Sequence, residues 1–432
     1  MTTRITSENI TDATITSTDL AAGAGSTDWQ AVITADGSTV TTMVSGRGYF
    51  VNTTSAAGLL KLPLSASRCD YVEIKDYART FGTNNVTVQR NGHKFDGTAS
   101  DSTLSTTGAS VKYVYIDSTK GWSATNDDTT TQYGATYTAA SGGTESTVGD
   151  YKVHTFTGDA NFVVSSVGNP AGGGAAVDYI VVAGGGAGGN DRGGGAGGGG
   201  LRFYASPDVT SYPASPRNAP AGITVTATTY PITVGAGGTG TPSSSTSGSP
   251  SIFSTITSTG GGAGGGGQPG NTPGSNGGSG GGSRGAPSGS GAGAGNTPPV
   301  SPPQGMNGGG PGPIVGGGGG GFMENAGNGG SSPSGSTGNG GDGGGFPNAF
   351  GTSGESSSCK YYFSGGGAAG ACNTANPYKG LGGGGHGGTG SPPIGLASTD
   401  NSGGGGGGNS NGVNAGGNGG KGIVIIRYKY QN

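Results

Sequence analysis

The chain has 432 residues, of which 105 are glycine, 29% are hydrophobic and 10% are charged. Globular enzymes usually carry about 25% charged residues, so this composition argues against an ordinary enzyme. The formal net charge of −3 lacks the basic excess that is typical of nucleic-acid-binding proteins.

The N-terminal segment, residues 1–27, carries one apolar residue at every fifth position among Thr, Ser, Asp and Asn. A strand would place alternate members of this series on opposite faces, and the Thr and Ser content disfavours a helix. Four apolar residues cannot form a core alone. We therefore predict an anchor that winds with copies of itself in an oligomer; a disordered tail is the alternative. The series consists of Ile5, Ile10, Ile15 and Leu20.

Residues 28–125 contain short runs of β-forming residues, for example 71–75 and 111–116. Turn signals such as Asn91-Gly92 separate these runs. Short strands at this spacing predict a β-sandwich-like or jelly-roll-like module. Residues 126–150 are rich in Thr, Ser, Gly and Asp and are predicted to be a connector.

Residues 151–432 form the predicted glycine-rich domain. The runs 151–157 and 161–164 predict an opening hairpin. An apolar strand, 177–183, enters the glycine-rich stretch, and another, 422–428, leaves it. Since strands distant in sequence can pair across a sheet, these two are expected to bracket the stretch within one sheet.

The stretch between these strands consists largely of glycine blocks, for example 193–200 and 403–408. Collagen needs glycine at every third position, and these blocks do not keep that register. Such segments are either disordered or ordered as extended rods that pack closely because they lack Cβ atoms. The bracketing strands favour order. The sequence therefore predicts a mainly β fold with short strands and packed polyglycine-II-type rods.

The few large side chains within the glycine-rich stretch are the candidate binding residues. Aromatic residues on loops held by a rigid scaffold suit binding of a sugar or a receptor; the alternative is that they fill a small core. His386, within a glycine run, is an unexplained large side chain. The candidates are Phe322, Phe346, Phe350, Tyr361, Tyr362, Phe363, Tyr378 and His386.

The cysteine, histidine and serine residues provide little sign of chemistry. Cys359 and Cys372 flank aromatic residues, and a disulfide or two reduced thiols remain open alternatives. The three histidines are scattered without zinc-ligand spacing, and no serine lies in a nucleophile elbow. We predict no enzymatic activity, cofactor or metal site. The N terminus lacks a signal peptide, and apolar runs are far shorter than the ~20 residues of a membrane helix, so a soluble product is expected.

Three motifs carry a resemblance to a known family. They are Tyr-Lys-Val-His-Thr-Phe-Thr at 151–157, Val-Asp-Tyr-Ile-Val-Val-Ala-Gly-Gly-Gly at 177–186 and Gly-Lys-Gly-Ile-Val-Ile-Ile-Arg-Tyr at 420–428. Together they resemble the glycine-rich domain of bacteriophage tail fibres and adhesins. Residues 45–125 resemble β modules of phage fibre proteins. The glycine runs are similar to tip adhesins of T-even-type phages, in which packed polyglycine helices carry host-recognition loops.

This resemblance implies a structural protein of a bacteriophage virion, made in the host cytoplasm and exposed on the particle as a tail fibre or adhesin. It implies a homotrimer, attachment to other virion proteins through the N terminus, and binding to a host-surface glycan or outer-membrane protein. Neither nucleic acid nor membrane insertion is expected. The alternative function is a capsid-surface decoration or head fibre without a dedicated receptor.

Overall fold

The structure is a computed structural model that describes residues 27–125, 136–169, 172–267, 270–285, 291–330, 337–371, 377–390, 393–410, 412 and 414–431. The predicted N-terminal repeat therefore lies outside the described residues. The chain divides into two compact units, residues 1–136 and 137–432. Strands dominate both units, as predicted, and the described residues contain short 3₁₀ turns but no α-helix.

The described residues of the first unit form ten strands in two sheets. The chain passes repeatedly from one sheet to the other, so that β4 pairs with β6 and β5 with β7 in parallel. Antiparallel partners then follow: β8 pairs with β7, and β9 with β6. The strands are β1 (Asp28–Trp29), β2 (Ile33–Thr34), β3 (Val40–Thr42), β4 (Arg47–Asn52), β5 (Gly58–Lys61), β6 (Tyr71–Asp76), β7 (Val86–Gln89), β8 (Ser102–Leu104), β9 (Ser110–Asp117) and β10 (Gly121–Ala124).

Both sheets of the first unit contribute to one core. Alternate residues of β6 and β7 are buried, for example Ile74 and Val88, as expected for strands with one face on a core. Trp122 of β10 is fully buried and belongs to the same core. The two-sheet module was thus predicted, whereas the parallel winding was not, because turn signals between short strands favour hairpins.

The described residues of the second unit form sixteen strands, numbered on from the first unit. They are β11 (Ala139–Ser141), β12 (Thr144–Val148), β13 (Tyr151–Phe156), β14 (Ala160–Ser166), β15 (Ala176–Val182), β16 (Leu201–Tyr204), β17 (Ile223–Thr224), β18 (Thr229–Thr233), β19 (Gly240–Thr241), β20 (Ser244–Ser245), β21 (Ser251–Phe253), β22 (Ile256–Ser258), β23 (Gly344–Phe346), β24 (Glu355–Ser357), β25 (Lys360–Phe363) and β26 (Ile423–Lys429). The 3₁₀ turns are Ser215–Arg217 and Asn348–Phe350.

The central sheet of the second unit has the order β12-β13-β26-β15-β16. Strands β15 and β26 pair antiparallel, from Asp178 opposite Arg427 to Val182 opposite Ile423. This confirms that the strands at the two ends of the glycine-rich stretch share one sheet. Their apolar residues are continuous because both faces of the sheet are covered, each by a separate hydrophobic core.

A second sheet, β11-β14-β18-β21-β22, packs across one of these cores. The predicted hairpin of 151–157 and 161–164 was therefore wrong, because β13 and β14 belong to different sheets. Residues 139–148 form β11 and β12 within the second unit, although they were predicted to be part of the connector. Their Thr, Ser and Gly content hid edge strands that depend on tertiary pairing.

The glycine blocks are extended rods, and residues 193–200 form the central rod. Its backbone hydrogen bonds repeat every three residues, the period of a polyproline-II helix. Successive N–H groups therefore point to three different neighbours, at N···O distances of 2.7 to 3.0 Å. The amides of Gly193, Ala196 and Gly199 donate to Asn409, Gly406 and Gly403; those of Gly194, Gly197 and Gly200 donate to Gly265, Gly262 and Thr259; those of Gly195 and Gly198 donate to Gly317 and Gly320.

The carbonyls of the central rod accept from three further segments, again with a period of three. Six rods therefore surround the central one. We call the rods packed between residues 184 and 422 the rod bundle. The carbonyls of Gly193 and Ala196 accept from Gly370 and Gly367; those of Gly194, Gly197 and Gly200 accept from Gly189, Gly186 and Ala183; those of Gly195 and Gly198 accept from Gly282 and Ser279.

Close packing explains why these rods need glycine. A Cβ atom added at Gly195 would lie 2.0 Å from the carbonyl oxygen of Gly367, and one at Gly197 would lie 2.2 Å from that of Ser279. No real side chain tolerates such a distance from backbone. Ala196, in the same rod, is fully buried, so the packing accepts a methyl group at that position.

Candidate functional site

The rods carry a set of turns on the side of the bundle away from the sheets. The central rod runs into β16, and its neighbour 184–189 follows β15. The turn that joins the two rods, residues 190–192, therefore lies opposite the sheets. Residues 241–245 meet this turn, since Asn190 Nδ2 donates to the carbonyl of Pro242 at 2.6 Å. We call the face formed by these turns the distal face.

An ion pair fixes the distal face. The guanidinium of Arg284 lies 2.6 Å from the carboxylate of Asp191 and also donates to the Asp191 carbonyl at 3.0 Å. Arg284 further donates to Asn271 Oδ1. Because the two side chains are only 15% and 21% exposed, this ion pair is less screened than a surface pair. Together with the two other hydrogen bonds of Arg284, it joins the segments at residues 191, 271 and 284.

Four of the predicted receptor-binding residues lie in the hydrophobic core. Phe322, Phe346, Phe350 and Phe363 are at most 2% exposed and pack with Phe203 and Ile425 beneath the central sheet. They cannot contact a receptor directly, so the prediction was wrong for these residues. The alternative, that aromatics fill a small core, holds because glycine rods supply no apolar side chains of their own.

Tyr361 and Tyr362 lie in strand β25, which pairs with β23 and β24. Both are half-buried, and Tyr361 packs against the core beneath the central sheet. Cys359 lies exposed at the turn between β24 and β25. Cys372 lies outside the described residues, and the disulfide stays a prediction.

Tyr378 is the predicted residue that the bundle exposes most, at 69%. Its backbone is held on both sides: its N–H donates to Asn339 Oδ1, and its carbonyl accepts from Gly340. The phenol ring therefore projects from an anchored segment. His386 is half-buried, and its carbonyl accepts a hydrogen bond from Leu396 at 2.8 Å.

Two exposed apolar residues were missed by the sequence analysis, which considered only aromatic side chains and histidine. Ile394 and Leu396 are 49% and 52% exposed on a segment that runs beside His386. The available signal was an apolar residue on either side of Gly395, next to prolines, in a stretch without β pattern. With Tyr378, these are the large apolar side chains that the described part of the rod bundle exposes; we call them the exposed bundle residues.

A buried charge cluster joins the central sheet to the loop after β16. Arg427 of β26 donates to both Asp178 and Asp208, and its guanidinium carbon lies 3.4 Å from the centroid of the Tyr151 ring. Burial raises the pKa of Asp178, and Arg427 only partly opposes this shift. Desolvation acts in the same direction on Asp208, but hydrogen bonds from Arg427 and Ser206 lower its pKa.

His154 of β13 is fully buried in the second unit. Its Nδ1 lies 2.7 Å from the carbonyl of Gly142, and its Nε2 lies 3.1 Å from the Tyr428 hydroxyl. Burial lowers the pKa of His154, although the Gly142 carbonyl and Glu145 oppose the shift. These contacts explain His154 as a structural residue that links β13 to β26.

Among the described residues, no group of three or more His, Cys, Asp or Glu side chains is placed to hold a metal ion. Within the same residues, no helix has the length and apolar character needed to cross a membrane.

A comparison with protein-family models places a large part of the second unit in a known family. Residues 172–429 match the family model described as a glycine-rich domain. This match covers β15, the whole rod bundle and β26. A search of the curated proteins found none that matches the chain.

Proposed function

The chain belongs to the glycine-rich domain family, and from this premise we propose that it is a structural protein of a bacteriophage virion, a tail fibre or adhesin that contacts the host surface. The observation that carries the proposal is the exposure of Tyr378, Ile394 and Leu396 on the glycine-rich rod bundle. The motifs at 151–157, 177–186 and 420–428 support it through their resemblance to phage fibre proteins.

The rod bundle suits presentation of a binding surface. Its backbone groups are bonded to neighbouring rods in several directions, so turns and exposed side chains sit on a stiff support. Residues held in place before binding lose less conformational entropy when they bind. Exposure of a large apolar side chain to water costs free energy, and aromatic side chains are enriched at binding hot spots. The proposed ligand is a host-surface glycan or an outer-membrane protein.

The proposal includes a homotrimer that attaches to other virion proteins through its N terminus. The first unit supports self-association, because several large apolar side chains are exposed on it and such surfaces mark interaction sites when they are extensive. These side chains are Trp29, Val32, Val44, Leu64 and Tyr77, at 40% to 74% exposure. We propose no catalytic role.

Adsorption of variant virions tests the proposal. Tyr378→Ala and Leu396→Ala each remove an exposed side chain without a core contact, so folding should be unaffected. Loss of a hot-spot side chain costs about 2 kcal/mol or more, and we expect the adsorption rate to fall roughly tenfold or further. Ile116→Ala, at an exposed apolar residue of the first unit that is not among the proposed self-association residues, is the control and should adsorb normally.

The outcomes separate the two virion functions. Normal adsorption by both bundle variants, and by a virion that lacks residues 184–422, would contradict the adhesin and favour a capsid-surface decoration protein. Reduced adsorption by the Ile116→Ala control alone would place the contact in the first unit.

A further inference from the structure

The loop that follows β16 forms a cavity of about 440 Å³ on the second unit. Twelve residues between positions 204 and 220, at the end of β16 and in the loop after it, line this cavity. The volume falls within the roughly 300–1,000 Å³ that small-molecule pockets occupy. The cavity shares no lining residue with the exposed bundle residues, and the inference drawn from it does not depend on the function proposed above.

Tyr212 forms the buried side of this cavity. It is only 6% exposed, its ring stacks on Phe346 at a centroid distance of 5.9 Å, and it meets Phe203 edge-on. Burial raises its pKa to about 12, so the phenol keeps its proton at neutral pH. Buried tyrosines usually find a hydrogen-bond partner, but among the described residues the Tyr212 hydroxyl has none.

Four more hydroxyl groups line the cavity without a side-chain hydrogen bond to any described residue: those of Tyr204, Thr210, Ser211 and Ser215. Each can both donate and accept. By contrast, the side-chain amide of Asn218 is hydrogen-bonded to the backbone: its Oδ1 accepts from the N–H of Ala205, and its Nδ2 donates to the carbonyl of Ala205. The cavity therefore offers five free hydroxyls beside aromatic rings.

The charges behind the Ser206 wall of the cavity disfavour an anionic ligand. Its described lining contains no charged side chain. Behind it, the Ser206 hydroxyl is held by Asp178 and Asp208, which share the single guanidinium of Arg427. Two carboxylates against one guanidinium leave a net negative charge at this wall when both are ionised, which repels a uronate or sialate.

We propose that this cavity binds a neutral sugar ring. A neutral sugar presents several hydroxyls that pair with the uncommitted hydroxyls of Tyr204, Thr210 and Tyr212, and its C–H face packs on aromatic side chains. The volume fits one ring with part of a second. The ring can come from a free monosaccharide or from the end of a polysaccharide, and both present the same chemistry.

Saturation-transfer NMR on the purified full chain tests this inference. The probes are the methyl glycosides of glucose, galactose, mannose and N-acetylglucosamine, with methyl glucuronide as the anionic comparison. We expect transfer to at least one neutral glycoside and none to the glucuronide. A neutral trisaccharide that competes with the monosaccharide would indicate a polysaccharide end; a trisaccharide that fails to compete would indicate a free sugar.

Substitutions locate the binding. Tyr204→Phe and Tyr212→Phe keep the rings and remove the hydroxyls, so folding is preserved, and each should weaken binding roughly two- to tenfold. Thr210→Trp should fill the cavity and abolish transfer. Tyr77→Phe, an exposed tyrosine of the first unit, is the control and should bind normally. The inference is overturned if no neutral glycoside receives saturation, if the glucuronide binds as well, or if Thr210→Trp leaves transfer unchanged.

Discussion

A single added methyl group in the central rod should destabilise the second unit. In Gly195→Ala the new Cβ would lie 2.0 Å from the carbonyl oxygen of Gly367 and 2.6 Å from its carbonyl carbon. Both contacts are to backbone, so a side-chain rotation cannot relieve them. The segment 364–370 must move away from the central rod by roughly 1.5 Å to reach ordinary van der Waals distance.

The free-energy cost of this movement depends on the hydrogen bonds that it weakens between segment 364–370 and the central rod. The amides of Gly367 and Gly370 donate to the central rod at 2.9 Å, and a buried group left without its partner costs about 1–3 kcal/mol. Replacing Gly by Ala also lowers the conformational entropy of the unfolded chain, which stabilises the folded protein by about 0.4–1 kcal/mol. With both bonds weakened, we expect a net loss of about 3 kcal/mol, on the order of the 1–3 kcal/mol that overpacking usually costs.

Calorimetry and hydrogen exchange measure the effect. One kcal/mol shifts the melting temperature by about 2–4 °C in a domain of 150–250 residues and less in a larger one, so a fall of about 5 °C is expected. Amides of residues 364–370 should exchange faster. Gly291→Ala is the control, since a Cβ there would have no neighbour within 4 Å. Equal melting temperatures for the two variants would refute the close-packed rods.

Three further predictions concern assembly, chemistry and pH. Light scattering of the purified protein should give the mass of three chains, and a stable monomer would contradict the trimer. Incubation with purified host envelope polysaccharide should leave its size distribution unchanged, whereas shortening that depends on an Asp or Glu of this chain would contradict a non-enzymatic role. Because burial lowers the folded-state pKa of His154, the unfolded chain binds the proton first as the pH falls below about 6.5. The free energy of unfolding should therefore decrease from pH 7.5 towards pH 5, and His154→Gln should flatten this dependence; an equal slope in the variant would contradict the assignment.

Much of the fold follows from local sequence. The uninterrupted apolar runs of β15 and β26 predict strands buried on both faces, and their pairing brackets the glycine-rich stretch. The rods follow from glycine's missing Cβ. The partner of each rod does not, because repeated glycines carry no side chain that distinguishes Gly262 from Gly406 as a neighbour.

The candidate site was predicted less well, and burial explains the difference. Phe322 and Phe346 looked like isolated aromatics on glycine loops, but the loop after β16 returns to them and completes a core. Leu396 was missed for the opposite reason: an apolar residue is expected to be buried, but Leu396 is exposed. Exposure depends on which rods lie at the surface of the bundle, and the register of the rods is a tertiary property.

The location of the chain on an intact virion tests the account most directly. Electron cryo-microscopy of the particle should show trimeric density on the tail, with the N-terminal residues at the particle and the rod bundle directed outward. Density on the capsid surface, or a rod bundle buried between other virion proteins, would contradict a host-attachment role.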